Sequence, residues 1–289
     1  MSTATIIYNP ASGSSVSVDE LREAFGEIAN GHRLRWSPTT EDDPGPGQAR
    51  EAIDRQCDTV IACGGDGTVR AVAGELAGSS TALGVVPLGT GNLLAVNLGI
   101  PVGLDALPQS LSARSQRMDI GVVNGEAFLV MAGVGFDAAM IRDADPAIKR
   151  RFGSLAYVAS GIKNVPAKIV RATVTIDGER AWSGRTAMVL VGNCGSVTGG
   201  LPVFPDASPV DGRLDVAVLT AESLRDWARI MWRLVRRRPH GDRDVQRFTG
   251  GEIVVELDES VPYELDGEDR DPARRLEFSI KPDALEVRC

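Results

Sequence analysis

The amino-acid sequence predicts an α/β N-terminal domain built on a parallel sheet, followed by a β-rich, sandwich-like C-terminal domain. Three observations carry that expectation. β-Branched runs alternate with helically spaced apolar residues over the first third, strand follows strand from about residue 122, and the early apolar runs end in glycine-rich turns. The change of pattern divides the chain at residues 1–122 and 123–280, with 281–289 placed to rejoin the first part.

In the first part ATIIY (4–8), RLRW (33–36), TVIAC (59–63) and LGVVP (83–87) read as strands bounded by turn residues. Residues 17–30, 48–56 and 68–77 between them carry apolar side chains at helical spacing. Strand and helix in alternation imply βαβ crossovers, hence a parallel sheet covered on both faces. In the second part AFLVMAGV (127–134), RATVTID (171–177), TAMVLVGN (186–193), LDVAVL (214–219), EIVVEL (252–257) and RLEFSI (275–280) read as strands separated by Gly, Pro and Asp turns. The stretches 147–163 and 223–236 look helical, and there is no internal repeat or low-complexity tract.

Composition narrows the chemistry. A hydrophobic share of 43% is ample for packed cores, and no apolar run approaches the ~18 to 20 residues of a spanning helix, so a soluble cytoplasmic protein is expected. Cys57, Cys63, Cys194 and Cys289 lie far apart without C-x-x-C spacing, which predicts reduced thiols rather than a zinc site or disulfides. The two histidines, His32 and His240, stand away from any candidate nucleophile, so proton transfer falls to carboxylates. A formal charge of −8 disfavours nucleic acid, whose binding displaces counterions with basic side chains.

Gly64-Gly65-Asp66-Gly67-Thr68 stands between an apolar run and a helical pattern. Glycines admit close approach of a bulky anion, and helix N-terminal amides favour phosphate. The loop lacks the G-K-[ST] of a Walker A motif and the G-x-G-x-x-G spacing of dinucleotide folds. PLGTGN (87–92) repeats the arrangement with glycines, a hydroxyl and an amide, and NPASG (9–13) follows the first strand in the same way. Loops at the carboxyl ends of neighbouring parallel strands define the crevice where open α/β sheets bind ligands. Asp66 alone reads equally as the N-cap of its own helix, and LDGE (265–268) and VDGRL (210–214) as primed hairpin turns.

NPASG, GGDGT, PLGTGN, GVGFDA (133–138), FPDASPVDGRLDV (204–216) and LDGE occur in the order and spacing of the diacylglycerol kinase family of soluble bacterial lipid kinases, and the chain resembles that family from Ile6 to its C-terminus. GGDGT by itself is shared with NAD kinases; PLGTGN together with a late DGE is more specific. The resemblance implies an NAD kinase/diacylglycerol kinase-like fold, a nucleotide bound between the domains, and ATP-dependent phosphorylation of the hydroxyl of diacylglycerol or a related lipid alcohol. By motif, ATP would be held by Asn9, Pro10, Ala11, Ser12 and Gly13, by Thr40, by Gly64, Gly65, Asp66, Gly67, Thr68, Val69, Arg70 and Ala71, and by Thr90, Gly91 and Asn92. Glu268 or Asp266 would be the base. Mg²⁺ would lie near Asp66, with Asp119 joined to the metal network, and a structural Mg²⁺ would sit on the Asp211 carboxylate and the carbonyls of Ser208 and Arg213.

The chain departs from the family pattern where GGDGTLNE becomes Val69-Arg70-Ala71 and where NDF becomes Asn92-Leu93-Leu94. After the first change the nucleotide contact of that acid is either missing or supplied by another group, Glu75 one turn on being a candidate; the second resembles the sphingosine and ceramide kinase branch. A NAD kinase-like small-molecule kinase and a non-catalytic nucleotide-binding regulator are the rival readings. Finally, LRDWARIMWRLVRRRPH (224–240) puts Leu224, Trp227, Ile230, Met231, Leu234 and Val235 on one helical stripe, with six arginines among residues 225–238 largely elsewhere. That pattern fits either a core-packing helix with a solvated basic face or a peripheral contact with the anionic membrane that carries the lipid substrate.

Overall fold

The structure, a computed structural model, describes residues 2–10, 16–29, 31–135, 169–197, 200–236, 241 and 243–289. It contains two compact units, Met1–Ile120 with Lys281–Cys289, and Gly121–Ile280.

The first unit is a parallel sheet of β1 (Ser2–Tyr8), β2 (His32–Pro38), β3 (Thr59–Gly64) and β4 (Ala82–Pro87) in the order β4-β3-β1-β2. Every residue of β3 and β4 is buried, which requires cover on both faces. That cover comes from α1 (Val18–Ile28), α2 (Pro46–Asp54) and α3 (Asp66–Leu76). A capping box starts α1, where Ser17 and Glu20 satisfy each other's backbone amides, and Leu21 and Phe25 then pack with Ile6, Ile61 and Val86. Proline at the start of α2 lacks the N–H that a helix cannot use there. Two short helices follow β4, namely α4 (Leu93–Leu98) and α5 (Leu107–Ser110). At the far end of the chain Val287 pairs in parallel with Leu83, returning the terminus to this unit.

The second unit is antiparallel. Its strands include β6 (Glu126–Phe128), β7 (Met131–Val134), β8 (Val170–Ile176), β9 (Glu179–Thr186), β10 (Met188–Gly192), the short pair β11 (Ser196–Val197) and β12 (Leu201–Pro202), β13 (Leu214–Leu219), β14 (Val245–Gly250), β15 (Glu252–Leu265) and the first part of β16 (Glu268–Arg288). The order runs β14-β13-β10-β7-β15, with β15 also pairing β8 and β16. Alternating side chains such as Val189, Val191, Val216, Val218, Ile253 and Val255 meet in one core. A helix, α6 (Leu224–Val235), begins at Ser223, whose hydroxyl accepts the Asp226 amide.

The structure corrects several element expectations. The apolar run 127–134 is two strands, interrupted at Leu129 and Val130. β9, β14 and β5 (Ser115–Val123) carry charged, polar or glycine residues on their outer faces, so their sequences did not read as strands. β15 and β16 run well past the apolar stretches that marked them. The helical pattern at 147–163 lies outside the described residues. All four cysteines are free thiols, with Cys57, Cys63 and Cys194 buried. Among the described residues no helix is long and apolar enough to cross a membrane.

Candidate active site

Parallel strands put their carboxyl ends on one edge, so the turns after β1, β2, β3 and β4 share an edge of the first unit. The chain leaves β1 toward β2 on one side and reaches β3 on the other, which makes the ends of β1 and β3 the topological switch point. Main-chain bonds lace these ends together: Asn9 N–H donates to the Cys63 carbonyl (3.3 Å), Thr39 N–H to Tyr8 (2.9 Å) and Leu88 N–H to Gly64 (2.8 Å).

The two glycine loops touch backbone to backbone. A Cβ on Gly89 would lie 2.5 Å from the Gly65 Cα, and one on Gly64 would lie 2.9 Å from the Thr68 side chain. PLGTGN closes on itself, because the Asn92 side-chain oxygen accepts the Gly89 amide (3.0 Å) while its NH₂ donates to the Gly89 carbonyl (2.9 Å). Asn92 adopts a left-handed conformation (φ 49°) to do so, a geometry asparagine tolerates. A hollow of about 10 Å³ between the loops, lined by Gly65, Asp66, Val69, Pro87 and Asn92, is too small for a phosphate.

Asp66 latches this pair. The expectation that it caps its own helix fails, since Gly65 is the cap residue of α3 and no side chain bonds there. Its carboxylate instead accepts the Asn92 amide (2.8 Å) and the Leu93 amide (2.6 Å), capping α4 and fixing the second glycine loop against the first. Asp66 is half-buried and so keeps access to solvent. Thr90 is exposed at the tip of its loop and Gly91 half-buried beside it. Along α3, Thr68 and Val69 are buried, while Gly67, Arg70 and Ala71 are half-buried. Glu75 does not stand as the open substitute acid, because Arg50 engages it at 2.9 Å. Thr40 forms a local turn, its hydroxyl accepting the Asp43 amide at 3.0 Å. Pro10 is exposed at the end of β1, and Ala11, Ser12 and Gly13 lie outside the described residues. Asp119 is buried and accepts the Asp283 amide at 2.7 Å.

In the second unit LDGE forms the tight turn between β15 and β16, with Asp266 at φ 50° and Gly267 at φ 88°, the left-handed pair of a primed hairpin. Asp266 is 4% exposed, and its carboxylate accepts the amides of Leu129 (2.8 Å), Val130 (2.8 Å) and Met131 (3.0 Å). These are the residues where the strand breaks between β6 and β7. Its oxygens are committed to three main-chain donors inside the core, so Glu268 is the more accessible of the two candidate bases. Glu268 has 44% of its side chain exposed and lies 3.4 Å from Arg270, which also pairs with Glu126 at 2.9 Å.

One acid in this hairpin escaped the sequence reading. Glu264 is 1% exposed; one carboxyl oxygen accepts the Gly267 amide at 2.7 Å and the other is buried without a hydrogen-bond partner. Burial pushes its pKa up to about 8, with the neighbouring Asp266 and Asp269 adding to the rise. The available signal was a charged residue inside the otherwise buried run Tyr263 to Leu265.

Ser208, Asp211 and Arg213 occupy the loop before β13. Asp211 is exposed and accepts the Arg213 amide (3.0 Å), while Gly212 takes φ 71°. Asp215, one residue into β13, is raised to about 6 by burial and by facing Asp211 and Asp206, against the opposing pull of Arg247 and Arg213. Crowded acid oxygens of this kind suit a hard divalent cation. Among the described residues no group of three or more His, Cys, Asp or Glu side chains is arranged to hold a metal ion.

Comparison with known proteins decides the family. Residues 3–123 match the diacylglycerol kinase catalytic domain, and residues 130–289 the YegS C-terminal NAD kinase beta sandwich-like domain. The chain belongs to the diacylglycerol kinase and YegS-like lipid kinase family. It is 31% identical to a protein named diacylglycerol kinase from Bacillus subtilis, over 93% of this chain and 90% of that one. It is 32% identical to a "probable lipid kinase YegS-like" protein of Pectobacterium atrosepticum, over 96% and 93%. A Bacillus anthracis structure titled as a diacylglycerol kinase shares the fold, with a TM-score of 0.77 at 22% identity, covering 99% of this chain and 96% of that one. An NAD kinase from Archaeoglobus fulgidus in complex with ATP is a more distant fold relative, with a TM-score of 0.54 at 12% identity over 99% and 93%.

Proposed function

We propose that this member of the lipid kinase family transfers the γ-phosphoryl group of ATP to the hydroxyl of diacylglycerol or a closely related lipid alcohol. The observation that carries the reading is the Asp66 latch, which holds two glycine loops main chain to main chain at the carboxyl edge of a parallel sheet. Phosphoryl transfer is chiefly positioning and charge stabilisation, and fixed amides on a rigid edge supply both. The amides and glycines of residues 64–68 and 87–92 orient the phosphates, with Asn9 and Thr40 at the same edge. Glu268 accepts the proton of the attacking hydroxyl, and Arg270, 3.4 Å away, holds that carboxylate in place. Asp266 positions the turn that carries Glu268. Mg²⁺, when bound, spreads charge over the phosphates; the Asp211 carboxylate and the carbonyls of Ser208 and Arg213 would hold a structural ion of the same kind.

A single-turnover assay with radiolabelled ATP, Mg²⁺ and diacylglycerol in mixed micelles tests the proposal, with sphingosine, ceramide and NAD as alternative acceptors. Label in phosphatidic acid supports it. Label in phosphorylated NAD, or ATP binding with no phosphorylated lipid, overturns it in favour of a small-molecule kinase or a nucleotide-binding regulator.

A further inference from the structure

The arginine face of α6 is not used by the phosphate edge or by the DGE hairpin. Trp227 and Ile230 are buried and Leu234 half-buried on one side of this helix. At 3.6 residues per turn, Arg225, Arg229, Trp232, Arg233 and Arg236 fall within about 100° of arc on the opposite side. Arg225 and Arg236 are exposed, and Trp232 is 52% exposed with the Arg236 guanidinium stacked 4.3 Å above its ring. An open hollow of about 720 Å³ lies against this face, lined by Arg225, Asp226, Arg229, Arg233, Gly241 and Arg243.

Among the described residues, arginine dominates the lining of the hollow. Arg229 pairs with both Asp226 and Asp244, and Arg243 stands 3.7 Å from each of the same two acids. Among the described residues that line the hollow, four are arginines and one is an aspartate, in a chain whose formal charge is −8. Arg229 and its acids form a fixed floor, while Arg225 and the 78%-exposed Arg243 side chain present forks that match phosphate oxygens. A soluble anion would have no use for the large exposed indole beside them. At a bilayer, by contrast, tryptophan favours the headgroup level, with its apolar body inward and its N–H wet.

We infer that this face is a docking site for an anionic phospholipid surface, with a headgroup phosphate entering the hollow and Trp232 seated in the interface beside it. The inference deepens the lipid-kinase reading by naming how the enzyme meets the membrane that holds its acceptor. Its test reads binding rather than turnover, so either can fail alone.

The full chain is sedimented with vesicles of phosphatidylcholine alone and of phosphatidylcholine mixed with phosphatidylglycerol, at low and high salt. The expected result is at least ~10-fold tighter binding to the anionic vesicles, lost at high salt as screening sets in. R225Q combined with R243Q lowers that binding ~30-fold while leaving the melting temperature unchanged, because both side chains are exposed and the pinned Arg229 is untouched. Trp232→Ala weakens binding, Trp232→Phe retains most of it, and the wild-type minus Trp232→Phe fluorescence difference shifts to the blue on anionic vesicles. Equal binding to both vesicle types, or undiminished binding of the double arginine variant, overturns the inference. Displacement of the vesicles by millimolar inorganic phosphate would also overturn it, assigning the hollow to a soluble anion.

Discussion

Two aspartates, each within a glycine-bearing turn, do comparable work in opposite settings. Asp66 accepts two amides from a loop far along the chain and remains half-buried; Asp266 accepts three and is sealed at 4% exposure. Both convert a flexible turn into a fixed one. The difference lies in what is left over. Asp66 keeps access to solvent at an edge of main-chain amides, where a phosphate with its cation can approach. Asp266 has no such access, and in the proposed mechanism the base is Glu268, two residues on, whose carboxylate stays partly open while the turn beneath it is locked.

The sharpest break of this comparison is at the hairpin. Glu268→Gln lowers kcat by about 10²- to 10⁴-fold, the usual contribution of a positioned general base, with ATP affinity by equilibrium binding and melting temperature both near wild type. Full turnover in this variant would mean that the proton leaves by another route. Asp266→Asn behaves differently: it replaces one acceptor oxygen with an NH₂ facing main-chain donors, and destabilises the fold by about 2–4 kcal/mol in chemical denaturation. If Asp266→Asn instead melted like wild type and lost only kcat, Asp266 and not Glu268 would be the base.

The alternation of β-branched runs and helical spacing made the α/β half readable, and LDVAVL at 214–219 marks β13 to the residue. The glycine loops were readable as strand-to-helix turns because glycine and strand-to-helix order are local signals. What the chain did not reveal is who bonds to whom. Asp66 finds its donors 26 and 27 residues away and Asp266 finds its own 135 to 137 away, and no local pattern encodes such a partner. The same contact hid the strand break at Leu129 and Val130, since an uninterrupted apolar run shows nothing of three amides turning toward one carboxylate. Likewise nothing in the residues next to Glu264 shows that its carboxyl is buried.

The glycine loops give the next, smaller test. Gly89→Ala drives a methyl to within 2.5 Å of the Gly65 Cα, whereas Gly65→Ala places its own at an ordinary 3.5 Å from the Gly89 Cα. Overpacking of backbone against backbone costs about 1–3 kcal/mol, so Gly89→Ala is less stable by that amount and binds ATP more weakly. Gly65→Ala stays close to wild type in denaturation. Equal effects from both substitutions would show that the loops do not meet in this asymmetric way.

The mildest test is the pH dependence of Glu264. Its carboxyl titrates near its ordinary 4.5 when unfolded and at about 8 in the folded chain. Between those values the folded state holds a proton that the unfolded state has released, so this group's contribution is complete below about 4.5 and is lost as pH rises through about 8. Asp215, raised to about 6, tilts stability in the same direction over a narrower window. The wild-type slope alone therefore does not identify Glu264; the difference from Glu264→Gln does, because Asp215 titrates alike in both chains. Glutamine keeps a carbonyl for the Gly267 amide and removes the titration. The melting temperature of Glu264→Gln minus that of wild type is expected to grow by ~3 °C or more between pH 5 and pH 8. A difference that stays flat across that interval would mean that Glu264 is ionised in the folded chain, with its second oxygen reached by water.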